Sequence, residues 1–133
     1  MKLVGRCYCG SLRYNVNAEP VFQGLCHCRE CRYISGGGVN AFVAIPTAVF
    51  EYSQGTPATF SRSDLDSPVV RDFCGECGTH IVSRPPGMPT VILKVGTLDD
   101  PSEFNPSVAI YTCDQRSYNI IPDGVATFDR APG

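Results

Sequence analysis

Val69-Val70-Arg71-Asp72-Phe73-Cys74-Gly75-Glu76-Cys77-Gly78-Thr79-His80-Ile81-Val82-Ser83 reads as two short strands joined by a sulfur knuckle. Val69 to Phe73 and Thr79 to Ser83 are rich in β-branched and aromatic residues, which favour extended chain. Between them Cys74 and Cys77 flank a tight turn, and Gly75 and Gly78 permit the φ > 0 positions that such a turn needs. Two thiolates spaced this way reach a single metal ion. The same spacing disfavours a disulfide within the pair, because the ring would be strained. The stretch predicts strands with a metal-ligand pair between them, and with it a mainly β fold.

Outward from this stretch, short strands recur. Leu12, Tyr14 and Val16 alternate as one face of a half-buried strand. Val39 to Ile45, Ala48 to Tyr52, Ala58 to Ser61, Thr90 to Val95 and Val108 to Thr112 have strand composition. Gly55-Thr56-Pro57, Pro85-Pro86-Gly87, Asp99-Asp100-Pro101 and Pro122-Asp123-Gly124 mark turns between them. Helix is scarce: one short turn follows Cys28 through Arg32 to Ile34 and ends at Ser35-Gly36-Gly37-Gly38. No linker, repeat or low-complexity tract interrupts the chain, so residues 1–133 are expected to form one domain.

The chain has 133 residues, 43% of them hydrophobic and 18% charged, which is globular and not disordered. Thirteen glycines and eleven prolines suit short strands joined by turns. A formal net charge of −2 gives no electrostatic footprint for nucleic acid. Met1-Lys2-Leu3-Val4-Gly5-Arg6-Cys7 has no apolar run of signal-peptide length, and no stretch has the length of a membrane span. The expected compartment is the cytoplasm, where thiols stay reduced and clustered cysteines more often bind metal than form disulfides.

The eight cysteines fall into three clusters and a singleton: Cys7 with Cys9, Cys26 with Cys28 and Cys31, Cys74 with Cys77, and Cys113 alone. A structural zinc takes four closed ligands, whereas a catalytic zinc takes three and keeps one position open. Cys26, Cys28 and Cys31 supply three thiolates within six residues. Cys7, Cys9, Cys74 and Cys77 supply four from two distant knuckles. Seven thiolates thus divide into four and three, for two Zn²⁺ per chain. Two alternatives stand beside this division: a disulfide framework, which lacks a secretion signal, and one structural zinc with incidental other thiols. Cys113 reads as a small apolar filler; as a fourth ligand it would close the three-thiolate site.

Other residues carry weaker signals. His27 sits between two ligands as a candidate proton relay or ligand-supporting group, against a packed or exposed residue. His80 reads as structural. Arg32 and Arg116 could fork onto a substrate carboxylate, against ordinary surface charges. Ser35 to Gly38 could admit substrate to the backbone, against a plain helix-ending loop.

The segments Gly5-Arg6-Cys7-Tyr8-Cys9-Gly10-Ser11-Leu12-Arg13-Tyr14, Cys26-His27-Cys28-Arg29-Glu30-Cys31-Arg32 with Ser35-Gly36, and Phe73-Cys74-Gly75-Glu76-Cys77-Gly78-Thr79-His80-Ile81 together resemble the glutathione-dependent formaldehyde-activating enzyme family, which includes the centromere protein V domain. Gly96-Thr97-Leu98-Asp99-Asp100-Pro101 is similar too. The resemblance implies a small zinc-binding domain of β-tent type. It places the structural zinc on Cys7, Cys9, Cys74 and Cys77, and the catalytic zinc on Cys26, Cys28 and Cys31. It implies a carbon–sulfur lyase like S-hydroxymethylglutathione synthase, whose partners are a glutathione-like thiol and a small aldehyde such as formaldehyde. Family members often carry a tryptophan and a histidine in the C-terminal third; Tyr118 and Ala109 stand near those places here.

Two functions follow for the open trio. Thiolate ligation makes zinc a weaker Lewis acid than histidine ligation and suits it to a soft sulfur ligand, so the first is an enzyme of thiol–aldehyde chemistry. The second is a non-catalytic zinc module that binds a protein or small ligand.

Overall fold

A computed structural model describes residues 1–132. Among the described residues the strands are β1 (Leu3–Arg6), β2 (Arg13–Val16), β3 (Phe22–Cys26), β4 (Asn40–Pro46), β5 (Tyr52–Gln54), β6 (Ala58–Phe60), β7 (Val70–Phe73), β8 (His80–Arg84), β9 (Thr90–Lys94), β10 (Val108–Ile110) and β11 (Ala126–Thr127), and the α-helix is α1 (Arg29–Ser35). They form a three-stranded sheet in the order β1-β2-β5 and an eight-stranded sheet in the order β11-β10-β3-β4-β9-β8-β7-β6. β10 runs parallel to both β3 and β11, and the other pairs are antiparallel. The architecture is mainly β, as expected.

Strand periodicity divides the core in two. Along β4, Val43 and Ile45 join Leu3, Tyr14, Val16, Val82, Val91 and Leu93 in a cluster shared with the small sheet. Phe42 joins Cys26 and Cys31, with Phe22, Ile92 and Ile110 packed against them. Successive side chains of a strand point to opposite faces, so β4 is covered on both. Phe42 through Ile45 are 2% exposed or less.

Two polar devices tie the layers together. The buried Asp72 carboxylate on β7 accepts from Arg84 Nη2 at 2.9 Å and from Tyr52 Oη at 2.8 Å, joining the β7–β8 hairpin to the small sheet. Burial and this carboxylate push the Tyr52 phenol up. Tyr14 Oη and Thr97 Oγ1 share a buried hydrogen bond of 2.7 Å beside Gly5. A Cβ at Gly5 would overlap both the Thr97 carbonyl oxygen and the Tyr14 hydroxyl. Gly5→Ala is therefore expected to destabilise the fold by about 3 kcal/mol, from overpacking and a broken buried hydrogen bond. A urea midpoint shift would show it.

Several boundaries differ from expectation. Ala48 to Tyr52 is not one strand. Thr47–Val49 is a 3-10 turn, held by the Thr47 N–H on the Pro89 carbonyl at 2.8 Å, and extended pairing starts at Tyr52. The strand from Val108 stops at Ile110 because Tyr111 takes a left-handed φ of 54° and Thr112–Asp114 turns as 3-10. Leu3–Arg6, Phe22–Cys26 and Ala126–Thr127 are strands that composition did not signal. Phe22-Gln23-Gly24-Leu25-Cys26 becomes extended through pairing on both edges, with β4 and β10.

Candidate metal centres

The first knuckle turns between β1 and β2. Gly10, at φ 83°, sends its N–H to the Cys7 carbonyl at 3.2 Å, and the Leu12 N–H reaches Cys7 Sγ at 3.3 Å. The second turns between β7 and β8. Gly78, at φ 80°, sends its N–H to the Cys74 carbonyl at 2.8 Å, and the Cys77 N–H reaches Cys74 Sγ at 3.4 Å. The Tyr8 N–H donates to Thr79 Oγ1 at 3.0 Å and links the knuckles. As a result the sulfurs of Cys7, Cys9, Cys74 and Cys77 lie within 4.8 Å of one another.

The donor set fits zinc. Four thiolates at the usual Zn–S length of about 2.3 Å form a tetrahedron with edges of about 3.8 Å. The separations are 3.6 Å for Cys7–Cys9 and 3.7 Å for Cys9–Cys74. Hydroxyls surround the sulfurs: Ser11 Oγ is 3.2 Å from both Cys9 and Cys74, and Thr79 Oγ1 is 3.2 Å from Cys77. The Thr79 hydroxyl and backbone N–H hold the Cys77 thiol down at about 5, so the thiolate is the favoured form.

The second set is built locally. Cys26 ends β3, and Cys28 is the N-cap of α1, its Sγ accepting from the Cys31 N–H at 3.2 Å. Cys31 lies in the first turn of the helix, and Asn40 Nδ2 approaches its sulfur at 3.6 Å. The three sulfurs lie within 4.8 Å of one another. Hydrogen bonds from Cys26 and Cys28 hold the Cys31 thiol low, with help from Lys94 and Arg71, while the same bonding and burial push Cys26 up. Among the described residues, no fourth cysteine, histidine or carboxylate joins this group at that distance. The donors suit a soft divalent ion and leave a further position for a ligand.

Cys113 is exposed, on the Thr112–Asp114 turn, which corrects its reading as a packed apolar filler; nor is it among the gathered sulfurs. His27 is 5% exposed, with neither ring nitrogen hydrogen-bonded, and burial lowers its proton affinity. Its ring is not gathered with the trio. His80 stacks on Phe73 at 5.8 Å, with Nδ1 unpartnered. Arg32 lies over the Tyr33 ring at 5.0 Å, and Arg116 is exposed. Ser35 to Gly38 closes the helix: Gly36 is left-handed at φ 78°, and the Gly37 N–H bonds to the Arg32 carbonyl at 2.8 Å.

Sequence reading passed over Arg71 and Lys94. Their side chains meet at Ser83 on the sheet face that carries Phe42. The available signal was a lysine inside the otherwise apolar run Val91-Ile92-Leu93-Lys94-Val95, since a charge in such a strand is rarely idle.

The family model described as glutathione-dependent formaldehyde-activating enzyme matches residues 2–114. A Halomonas elongata protein provisionally named for the same activity is 31% identical over 97 residues, 69% of this chain. The matched region spans 62% of that relative's length. A Rhodobacter sphaeroides protein of known crystal structure has a similar fold, with a TM-score of 0.58 at 20% identity over 80% of this chain and 92% of that one.

Proposed function

The chain belongs to the glutathione-dependent formaldehyde-activating enzyme family, and from that membership we propose that it is a zinc-dependent carbon–sulfur lyase acting on a glutathione-like thiol and a small aldehyde. The observation that carries this reading is the contrast between the two sulfur sets. One has four donors drawn from two knuckles; the other has three, with no fourth beside them among the described residues. Cys7, Cys9, Cys74 and Cys77 would hold a structural zinc, and Cys26, Cys28 and Cys31 a catalytic one. Residues 1–133 are taken as one β-tent domain.

Cys26, Cys28 and Cys31 would hold the zinc, which would supply a soft Lewis acid that favours the deprotonated form of a substrate thiol near neutral pH. The chain's own part is to place and desolvate the reactants. Cys28 and Cys31 are fixed by the α1 cap, and Cys26 by its pairing with Asn40 and Ile110. Phe42, Ile92 and Ile110 form an apolar floor around them, which excludes water and lets orientation act. In the forward direction the thiol sulfur adds to the aldehyde carbon. A C–S bond forms, the C=O π bond becomes a C–O bond, and the thiol proton ends on oxygen. The reverse cleaves the adduct with no redox change.

Metal analysis of purified protein, followed by NMR titration with glutathione and then formaldehyde, tests this. About two zinc ions per chain and shifts centred on Cys26–Cys31 are expected. Zinc at that level with no response to glutathione would instead support a non-catalytic module, and protein without metal would end both readings. No helix among the described residues is long and apolar enough to cross a membrane.

A further inference from the structure

Arg71 of β7 and Ser83 of β8 are cross-strand partners, and Ile92 of β9 is opposite Ser83. Lys94 is two residues beyond Ile92 and therefore on the same face; it pairs with Phe42, which packs on the cysteine trio. Arg71 Nη1 donates to Ser83 Oγ at 3.2 Å, and Lys94 Nζ donates to the same oxygen at 3.0 Å. Ser83 is 5% exposed. Its two lone pairs are both engaged, so its own O–H is left to point elsewhere.

Two cations converge on one buried hydroxyl, and neither has a carboxylate. Among the described residues, the ion pairs engage the N-terminus, Arg29, Arg62 and Arg84, but not Arg71 or Lys94. Like charges so close repel, and the counter-charges that face Lys94 are the sulfurs of Cys26, Cys28 and Cys31, which leaves the two cations without a carboxylate of their own. Arg71 also lines a groove of about 340 Å³ with Arg29, Tyr33, Phe60 and Arg62. Arg62 is bound to Asp64 at 2.6 Å and Arg29 to Glu30 at 3.3 Å. Arg71 is thus the groove's arginine without an acidic partner, and it connects that opening to Ser83 and Lys94.

We propose that Arg71, Ser83 and Lys94 form an anion subsite that holds a carboxylate of the thiol substrate beside Cys26, Cys28 and Cys31. The inference rests on the thiol reading above. A carboxylate matches the set because its two oxygens meet the arginine fork and the ammonium together, with the Ser83 O–H as a third donor. The pair then selects acidic thiols over neutral ones. Arg32 and Arg116, the arginines that the sequence pointed to, are not part of it.

The test is calorimetric titration of the zinc-loaded protein with 3-mercaptopropionate and with its methyl ester. The free acid is expected to bind about tenfold more tightly than the ester, the range of a charge-assisted hydrogen bond. Lys94→Met and Arg71→Gln should each remove most of that preference while zinc content and the circular dichroism spectrum stay unchanged. Equal affinity for acid and ester in the parent would overturn the subsite, as would a preference that survives both substitutions. Loss of zinc from Lys94→Met with the preference intact would also overturn it, and would assign the lysine to neutralising the sulfurs. Failure of both compounds to bind would be a different result, refuting the thiol reading and this subsite with it.

Discussion

Cys74→Ser is expected to abolish cooperative folding and to release the metal. Cys74 is 2% exposed and packs in the main core cluster together with Cys7. Its sulfur meets that of Cys9 across 65 residues of chain, so a shared ion would close a long loop. Structural zinc sites of this kind contribute about 10–16 kcal/mol, against a net stability of about 5–15 kcal/mol for a whole domain. Serine replaces a soft sulfur donor with a harder hydroxyl oxygen, a poorer match for zinc. Thermal circular dichroism and zinc analysis on the same sample check the outcome. A cooperative melt within a few degrees of the parent would show that the four-sulfur cluster does not hold the fold together.

Cys28→Ser is expected to do the opposite, keeping the fold and removing the chemistry. Cys28 is the N-cap of α1, with extended backbone and a sulfur that accepts the Cys31 N–H. Serine is among the preferred N-cap residues, so the helix keeps its first-turn acceptor and the cap's own contribution should change by less than about 1 kcal/mol. The trio, however, loses one of three donors. Zinc should fall from about two to about one per chain, and binding of glutathione, read by NMR titration, should disappear with it. If Cys28→Ser unfolds the protein as fully as Cys74→Ser, the division between a fold-holding and a substrate-binding cluster is wrong.

Much of the grouping of the cysteines was legible in one dimension. Cys-x-Cys, Cys-His-Cys-Arg-Glu-Cys and Cys-Gly-Glu-Cys each bring sulfurs together through a few residues of backbone, and the structure gathers the same seven into the same two groups. The strands from Asn40, Ala58, Val70, His80 and Thr90 were legible for a related reason: β-branched and aromatic runs between turn residues. Phe22–Cys26 was not, because its extended form depends on β4 and β10, whose residues lie far along the chain. Cys113 was misread because composition ranks cysteine as a buried residue, whereas the left-handed Tyr111 turns the chain outward just before it.

Local spacing, then, dictated which sulfurs meet within each knuckle, since residues a few positions apart are brought to one point by backbone geometry alone. Folding decided what surrounds them. The four-sulfur cluster needs the β1–β2 turn to meet the β7–β8 hairpin, which Asp72 fastens to the small sheet through Tyr52. The meeting of Arg71, Ser83 and Lys94 needs the register of three neighbouring strands. A slip of one residue would send Lys94 into the opposite core. Register is a property of paired strands and of the core that each face must bury, so no window along a single strand could have revealed it.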